Sequence, residues 1–553
     1  MMKKIIHRTV SLFEKKQTSI FSAATVIMTT VAASRFLGLL RVRMLTDRFT
    51  ADELGVYFAA FRLPNLLFEL IVMGALTSAF IPVFTTYMAK DNKEHAFRLA
   101  ASVINIALII FAILSLLILF FTKELAYFIA PGFTKEELGL LVVFTRIMLV
   151  AQVFPLIIGN FLTGMLQSHK NFLIPALAPV AYNVGIIIGI IVLSPVLGMY
   201  GPVIGVVFGA FLFMVIQIPS IMGLGYRHRP AVDVHDGGVR EVGRLMLPRT
   251  AGLAVSQVDS TVDLMLCSLL GARSVTVFNL AQQLQQVPIG LFGASLAQAA
   301  LPTLAELRAH KNLDEFKKAF LATFHQILFL TLPAGVLLVV LRIPIVRLVF
   351  GASRFDWPAT VLTGKTLAFF SLSLFAQAQI QLLARAFYSL YDSKTPVVIG
   401  GIAVIINTVL SIVFVRSMGL PVWSLGLSTS VSALFNVLAL LYYLDRSVNT
   451  FNRSQLLVPS IKMFTASLVM GIALYVPMKL LDQLVFDTTR TFNLFLLTGV
   501  ASLSGLMMYL FLAWFFNIRE VVLFFNFARK IMRVRQPILE TSAEVINGES
   551  GRM

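Results

Sequence analysis

The sequence predicts an all-α polytopic membrane protein of about 14 transmembrane helices: two six-helix bundles in parallel orientation plus two C-terminal helices. Three observations carry that prediction. Hydrophobic residues make up 58% of the 553 and charged residues 13%, whereas soluble domains carry roughly 25% charge. Apolar runs near or above the roughly 20 residues that cross a bilayer recur along the whole chain. Lys and Arg concentrate in alternate connections between those runs, the bias of cytoplasmic loops.

In chain order, apolar runs broken by charge, Gly or Pro place spans near 20–45, 56–87, 96–121, 138–167, 172–193, 201–222, 240–268, 275–307, 317–341, 361–388, 396–415, 422–444, 457–478 and 491–518. Residues 1–222 are the predicted N-terminal lobe and 223–239 a cytoplasmic linker. Residues 240–445 form the second lobe, 446–518 the additional pair, and 519–553 a cytoplasmic tail. With the N-terminus inside, the cytoplasmic connections receive most of the 45 Lys and Arg, among them Lys3, Lys4, Lys90, Lys93, Arg227, Arg229, Arg308, Lys317 and the basic residues from Arg519 onward. Both termini are thus expected in the cytoplasm, although the basic loop 342–365 falls on the other side. Residues 1–16 are basic, but no short apolar segment ending in a cleavage site follows, so no cleavable signal is read there.

The connections repeat. AFIPVFTTYMAKDNKEHAFR at 79–98 and AALPTLAELRAHKNLDEFKK at 299–318 share an apolar helix end with Pro and a polar hairpin, at an offset of 220. Paired bundles of this kind are a transporter architecture.

Several functions are excluded or disfavoured. No Gly-rich loop ending in Gly-Lys-Ser/Thr is present, so direct ATP-driven pumping is disfavoured. The seven histidines are scattered without HExxH, and Cys267 is the only cysteine, so neither a metal site nor a disulfide is expected. No extramembrane carboxylate pair suggests a glycosidase. The +18 formal charge reads as cytoplasmic-loop bias rather than a nucleic-acid footprint, and the chain is not expected to be an enzyme.

Chemistry resides in polar groups inside apolar spans, since a charge in hydrocarbon costs about 2.5–3.5 kcal/mol or more. The first span places Arg35 deep, where it needs a hydrated chamber, while Arg41 and Arg43 either join it or snorkel to the interface. Arg62 and Glu69 share a face of the second span as either a structural ion-pair network or a substrate contact. The seventh holds Arg249, Ser256, Gln257, Asp259 and Asp263. The aspartates, one turn apart, with Asn407 and Ser411 one turn apart elsewhere, form either a site for Na+ or H+ or an interhelical hydrogen-bond network. In the eighth, Gln282, Gln283, Gln285 and Gln286 before Pro288 should line water or protein.

SRFLGLLR at 34–41, AFRLPNLLFELIVMGALTSAFIPVF at 60–84, APGF at 130–133, IPALAPVAYN at 174–183, VPIGLFGASLAQAALPTL at 287–304 and RAFYSLYDSKTPV at 385–397 together resemble the MurJ/MviN family. These are lipid II flippases within the wider group of multidrug, oligosaccharidyl-lipid and polysaccharide exporters. The resemblance covers nearly the whole chain. It implies two lobes around a cationic cavity, a groove for the lipid tail beside the last two helices, and transfer of a polyprenyl-diphosphate-linked disaccharide peptide across the bacterial inner membrane. It implies substrate contacts for Ser34, Arg35 and Arg41, and the intramembrane positions add Arg62, Arg249, Gln282 and Gln283. An arginine suits a diphosphate because its planar fork gives directional, charge-assisted hydrogen bonds.

This chain departs from the family pattern where Phe68 and Glu69 stand for arginines, Met73 for an acid, Gln282 and Gln283 for an Asp-Arg pair, and Gly55 for an aspartate. The expected function is lipid II flipping by alternating access, with membrane lipids and the cargo as partners and a monomer sufficient. The alternatives are another polyprenyl-diphosphate-linked saccharide, a cation-coupled exporter of small amphiphiles, or a non-transporting scaffold.

Overall fold

The computed structural model describes residues 20–73, 79–89, 92–351, 353–484 and 490–522. Eleven helices among them are long and apolar enough to cross a membrane, and Trp357–Ser371 with Leu374–Ser389, bent by 44°, make a twelfth when taken as one span. Two further long helices, Ile20–Arg48 and Gly237–Leu269, carry the arginines and aspartates singled out above. The chain is thus an all-α polytopic membrane protein.

Helix starts follow local chemistry. Thr50 accepts from the Glu53 amide while the Glu53 carboxylate accepts from the Thr50 amide, a reciprocal cap that satisfies two otherwise orphaned donors. It moves the second span's start to Ala51, ahead of the residue 56 expected from apolarity. Thr134 and Glu137 repeat the device before Lys135–Ile147. The offset of 220 recurs in the geometry. Asn92 caps a 28-residue helix from Lys93 through the His95 amide, and Asn312 caps another of 28 residues from Leu313 through the Glu315 amide.

The chain divides into two compact units. The first comprises Met1–Leu280, Val349–Thr366 and Val404–Leu425, and the second Ala281–Leu348, Leu367–Ala403 and Gly426–Met553. Phe80, Phe84, Phe111 and Phe161 anchor the core of the first. There Leu173–Ile188 and Tyr200–Val215 cross where a Cβ on Gly185 would overlap the Gly209 backbone, the close approach that small residues permit between membrane helices. Phe316, Phe320, Phe324 and Phe387 anchor the core of the second, where the buried Tyr509 hydroxyl donates to the Phe329 carbonyl at 2.9 Å.

The single span expected at 361–388 is broken at Ser371–Leu374 without Gly or Pro. Partners distant in sequence hold the freed carbonyls: Ser430 Oγ donates to the Phe369 carbonyl at 2.6 Å and Gln285 Nε2 to the Phe370 carbonyl at 2.7 Å. Broken backbone at membrane depth persists where buried protein groups satisfy it. Likewise, a widened π-helical stretch, Ile289–Ala294, follows Pro288, and Arg385 Nη1 donates to the Ala294 carbonyl at 2.9 Å.

Candidate substrate and cation sites

Two polar clusters lie in the first unit. The first is built on Ile20–Arg48 and Leu173–Ile188. Pro179 has no amide proton and bends local hydrogen bonding, and Asn183, one turn later, donates to the Pro179 carbonyl at 3.0 Å. The same amide nitrogen reaches the Ser34 carbonyl and hydroxyl, each at 3.3 Å, while the Asn183 oxygen accepts from Arg41 Nη1 at 3.2 Å. Asn183 therefore holds Arg41 without neutralising it, and the buried Arg41 Nε has no hydrogen-bond partner. Arg35 is exposed. With Ser34, Gln167, Phe172, Pro175, Ala176 and Pro179 it lines a cleft of about 320 Å³, within the usual range of ligand pockets. The cleft offers the Arg35 guanidinium beside the Ser34 hydroxyl, donor chemistry that a diphosphate takes, while Arg41 is tied to that cleft only through Asn183 and does not line it.

The second cluster joins Arg62–Phe68 and its π-helical extension Glu69–Met73 to Gly237–Leu269. Arg62 donates to Thr261 Oγ1 from Nε at 3.0 Å and from Nη2 at 2.7 Å, and to the Gln257 carbonyl. The Gln257 side chain donates to Glu69. Gln257 thus links Arg62 to Glu69, so this guanidinium is engaged by protein on every side that has a recorded contact. Farther along the same helix, Asn407 Nδ2 donates to Asp259 Oδ1 at 3.0 Å. Asp263 and Asn407 are 7% and 3% exposed, and Ser411 is fully buried one turn from Asn407.

Three buried oxygens in this cluster have no hydrogen-bond partner: Gln257 Oε1, Asp263 Oδ1 and Asn407 Oδ1. All are acceptors. Buried acceptors without donors cost free energy unless a proton, a water or a cation satisfies them, so this oxygen set fits a small hard cation or a proton. No group of three or more His, Cys, Asp or Glu suited to a metal occurs among the described residues, so Asn, Gln and backbone oxygens would have to complete any ligation.

The remaining expected residues are distributed otherwise. The side chain of Arg249 lies outside the described residues. Gln282 and Gln283 are half-buried and belong to the second unit, where the neighbouring Gln285 serves the broken helix rather than water. Sequence reasoning missed the roles of Asn183 and Thr261, and placed Gln257 among the polar groups of the seventh span without its partners. A one-turn spacing from Pro179 to Asn183 and from Gln257 to Thr261 is the local signal that could have marked them. It also missed Arg273, which pairs with Asp52 and Asp356, each at 3.0 Å.

A family model described as lipid II flippase MurJ matches residues 48–495. Among curated relatives, the probable lipid II flippase MurJ of Vibrio cholerae is 31% identical, the match covering 78% of this chain and 83% of that protein. The lipid II flippase MurJ of Burkholderia cenocepacia is 27% identical, covering 76% and 83%. Among solved structures, a lipid II flippase MurJ in an inward closed conformation superposes with a TM-score of 0.75 at 25% identity, covering 89% of this chain and 99% of that one. An inward-facing multidrug resistance transporter of the MATE family superposes at 0.66 with 12% identity, a likeness of fold alone. The matched length and the shared architecture place the chain in the lipid II flippase MurJ family.

Proposed function

We propose that the chain is a lipid II flippase of the bacterial inner membrane, carrying the polyprenyl-diphosphate-linked precursor from the cytoplasmic to the outer leaflet by alternating access. The observation that carries this reading is the exposed Arg35 at a cleft beside Ser34, with Arg41 held nearby by the neutral Asn183, in a chain whose family match runs from 48 to 495. Neither guanidinium is neutralised by a recorded carboxylate, so the headgroup exchanges hydration for charge-assisted hydrogen bonds while the polyprenyl tail stays in lipid.

Fourteen spans complete the proposed topology. The support is that twelve apolar spans, counting the bent pair as one, and the two charged helices Ile20–Arg48 and Gly237–Leu269 reach that number. The proposed organisation is two six-helix lobes and a C-terminal pair, with both termini cytoplasmic and the monomer as the working unit. Asp259, Asp263, Asn407 and Ser411 hold a coupling Na+ or H+, and the orphaned oxygens of Asp263 and Asn407 support this assignment.

The test is complementation of cells depleted of their flippase, scored by survival and accumulated lipid II, with translocation measured in proteoliposomes. Arg35→Ala with Arg41→Ala abolishes translocation, and undiminished transport by that variant overturns the assignment. Asp259→Asn with Asp263→Asn removes dependence on an imposed Na+ or H+ gradient. An unchanged gradient response removes the cation site from the proposal.

A further inference from the structure

A second cleft, of about 330 Å³, opens in the first unit well away in sequence from Arg35. Its walls are Ile104, Leu108, Ile158, Leu162 and Ile221, and its rim carries Arg227. The walls come from three apolar spans, and the rim comes from the segment that follows Ile218–Gly223. A slot lined by aliphatic side chains is suited to hydrocarbon, and a cationic rim gives it a polar end.

The rim is built rather than incidental. Tyr226 is buried, and its hydroxyl lies 2.8 Å from His228 Nδ1. His228 Nε2 lies 2.9 Å from Asn105 Oδ1, and the Asn105 amide donates to the carbonyls of Arg229 at 3.0 Å and Ala231 at 2.8 Å. The residues on both sides of Arg227 are therefore pinned to the helix Lys93–Phe120. Arg229 pairs with Glu94, but Arg227 is exposed and forms no ion pair among the described residues. Its backbone is fixed in advance and its charge is uncompensated, so less ordering remains to be lost when an anion binds.

We infer that this cleft is a site for an anionic membrane phospholipid, with one acyl chain between Leu108 and Leu162 and the phosphate on Arg227. Charge complementarity selects this occupant. The aliphatic walls accept any acyl chain, but only an anionic headgroup answers an unpaired guanidinium at the mouth. Basic pockets between membrane helices on the cytoplasmic side bind anionic headgroups for this reason. The topology proposed above puts Arg227 at the cytoplasmic leaflet. The site is distinct from the cargo site, since it shares none of the residues around Arg35. Its occupant would stay with the protein rather than cross.

The experiment is native mass spectrometry of the full-length protein, purified in neutral detergent and offered phosphatidylglycerol or phosphatidylcholine with identical chains. The wild type retains phosphatidylglycerol preferentially. Arg227→Gln, an exposed substitution that leaves the fold intact, weakens retention about fivefold, the worth of one basic residue at an anionic surface. Leu108→Trp fills the slot and abolishes retention of either lipid, with size-exclusion elution checking that this variant is folded. Arg35→Ala with Arg41→Ala loses cargo transport yet keeps phosphatidylglycerol, so failure of the flippase assignment and failure of this one are told apart. Equal retention of both lipids, no effect of Arg227→Gln, loss of phosphatidylglycerol in the Arg35 and Arg41 variant, or displacement by a polyprenyl diphosphate overturns the proposal.

Discussion

Replacing Arg62 by Leu removes three donated hydrogen bonds, two to Thr261 Oγ1 and one to the Gln257 carbonyl. Polar contacts between membrane helices average about 0.6 kcal/mol, so the loss is about 2 kcal/mol. Thr261→Val removes the two bonds to the hydroxyl while leaving the guanidinium on the Gln257 carbonyl. The two substitutions are therefore coupled by about 1 kcal/mol. Reversible unfolding in mixed micelles, run as a double-mutant cycle, measures that term directly. Parallel translocation assays separate the two roles open to Arg62. A structural tie lowers stability and transport together, and Arg62→Lys, which loses the planar fork, restores little of either. A substrate contact lowers transport and leaves unfolding unchanged. Additivity within about 0.3 kcal/mol would refute the geometry described for this cluster.

Three further outcomes are expected. Asn183→Ala frees Arg41 from its hydrogen bond to the Asn183 oxygen, so lipid II affinity measured by calorimetry weakens about tenfold, near the entropy of one released side chain; unchanged affinity would mean that Asn183 does not orient the arginine. Gly55→Ala puts a Cβ onto the Ala272 carbonyl, whereas Gly38 has open space around it. Thermal unfolding should show Gly55→Ala destabilised by about 1–3 kcal/mol and Gly38→Ala neutral or slightly stabilised, and the reverse order would contradict this packing. Burial holds the His228 imidazole below its ordinary value of 6.5, among Tyr226, Asn105, Arg227 and Arg229. Because the unfolded linker binds the proton more readily, the linker's attachment is fully present above pH 6.5 and is lost as pH falls from there through the lower value of the folded state. The protection factors of residues 226–232, which correct for the slower intrinsic exchange in acid, should therefore fall on acidification, and His228→Asn should flatten the response.

Helices and caps were largely legible because their causes are local. Asn92 and Asn312 each stand just before an apolar run, and each accepts the amide three residues on, so the polar hairpin and its repeat could be found from sequence alone. The break after Ser371 was not legible, since Ser-Leu-Ser-Leu is compatible with continuous helix. What stabilises it is Gln285 and Ser430, 85 and 61 residues from the carbonyls they satisfy. The glutamines before Pro288 were recognisable as polar groups needing a partner, but sequence cannot distinguish a buried carbonyl from water. Similarly, Arg62 and Glu69 were visibly on one face, while Gln257, the residue joining them, lies 188 positions from Glu69. At Gly55, where the resemblance led us to expect an aspartate, any side chain is sterically barred in this packing, because a Cβ would meet the Ala272 carbonyl. Polar pairing over such separations is set by packing, and periodicity carries no information about it.

The fate of charge in the two clusters gives the departures from the family pattern a common sense. Glu69 stands where the family resemblance led us to expect a cation, and through Gln257 it is linked to Arg62. With Asp259 and Asp263 on the same helix as Gln257, that neighbourhood carries more formal negative than positive charge. It is a poor place for a diphosphate and a good one for a cation or proton. Around Ser34, by contrast, the partners recorded for Arg41 are neutral, and Arg35 is exposed at a cleft. On the function proposed above, anion recognition in the first unit falls on Arg35 and Arg41, and Arg62 takes the structural role that its hydrogen bonds favour. On this division a second substitution, Glu69→Gln, should leave Arg62 less fully neutralised and raise rather than lower affinity for an anionic headgroup. Weakened binding in that variant would show that the acidic cluster acts on the cargo directly, and the separation of the two sites would fall.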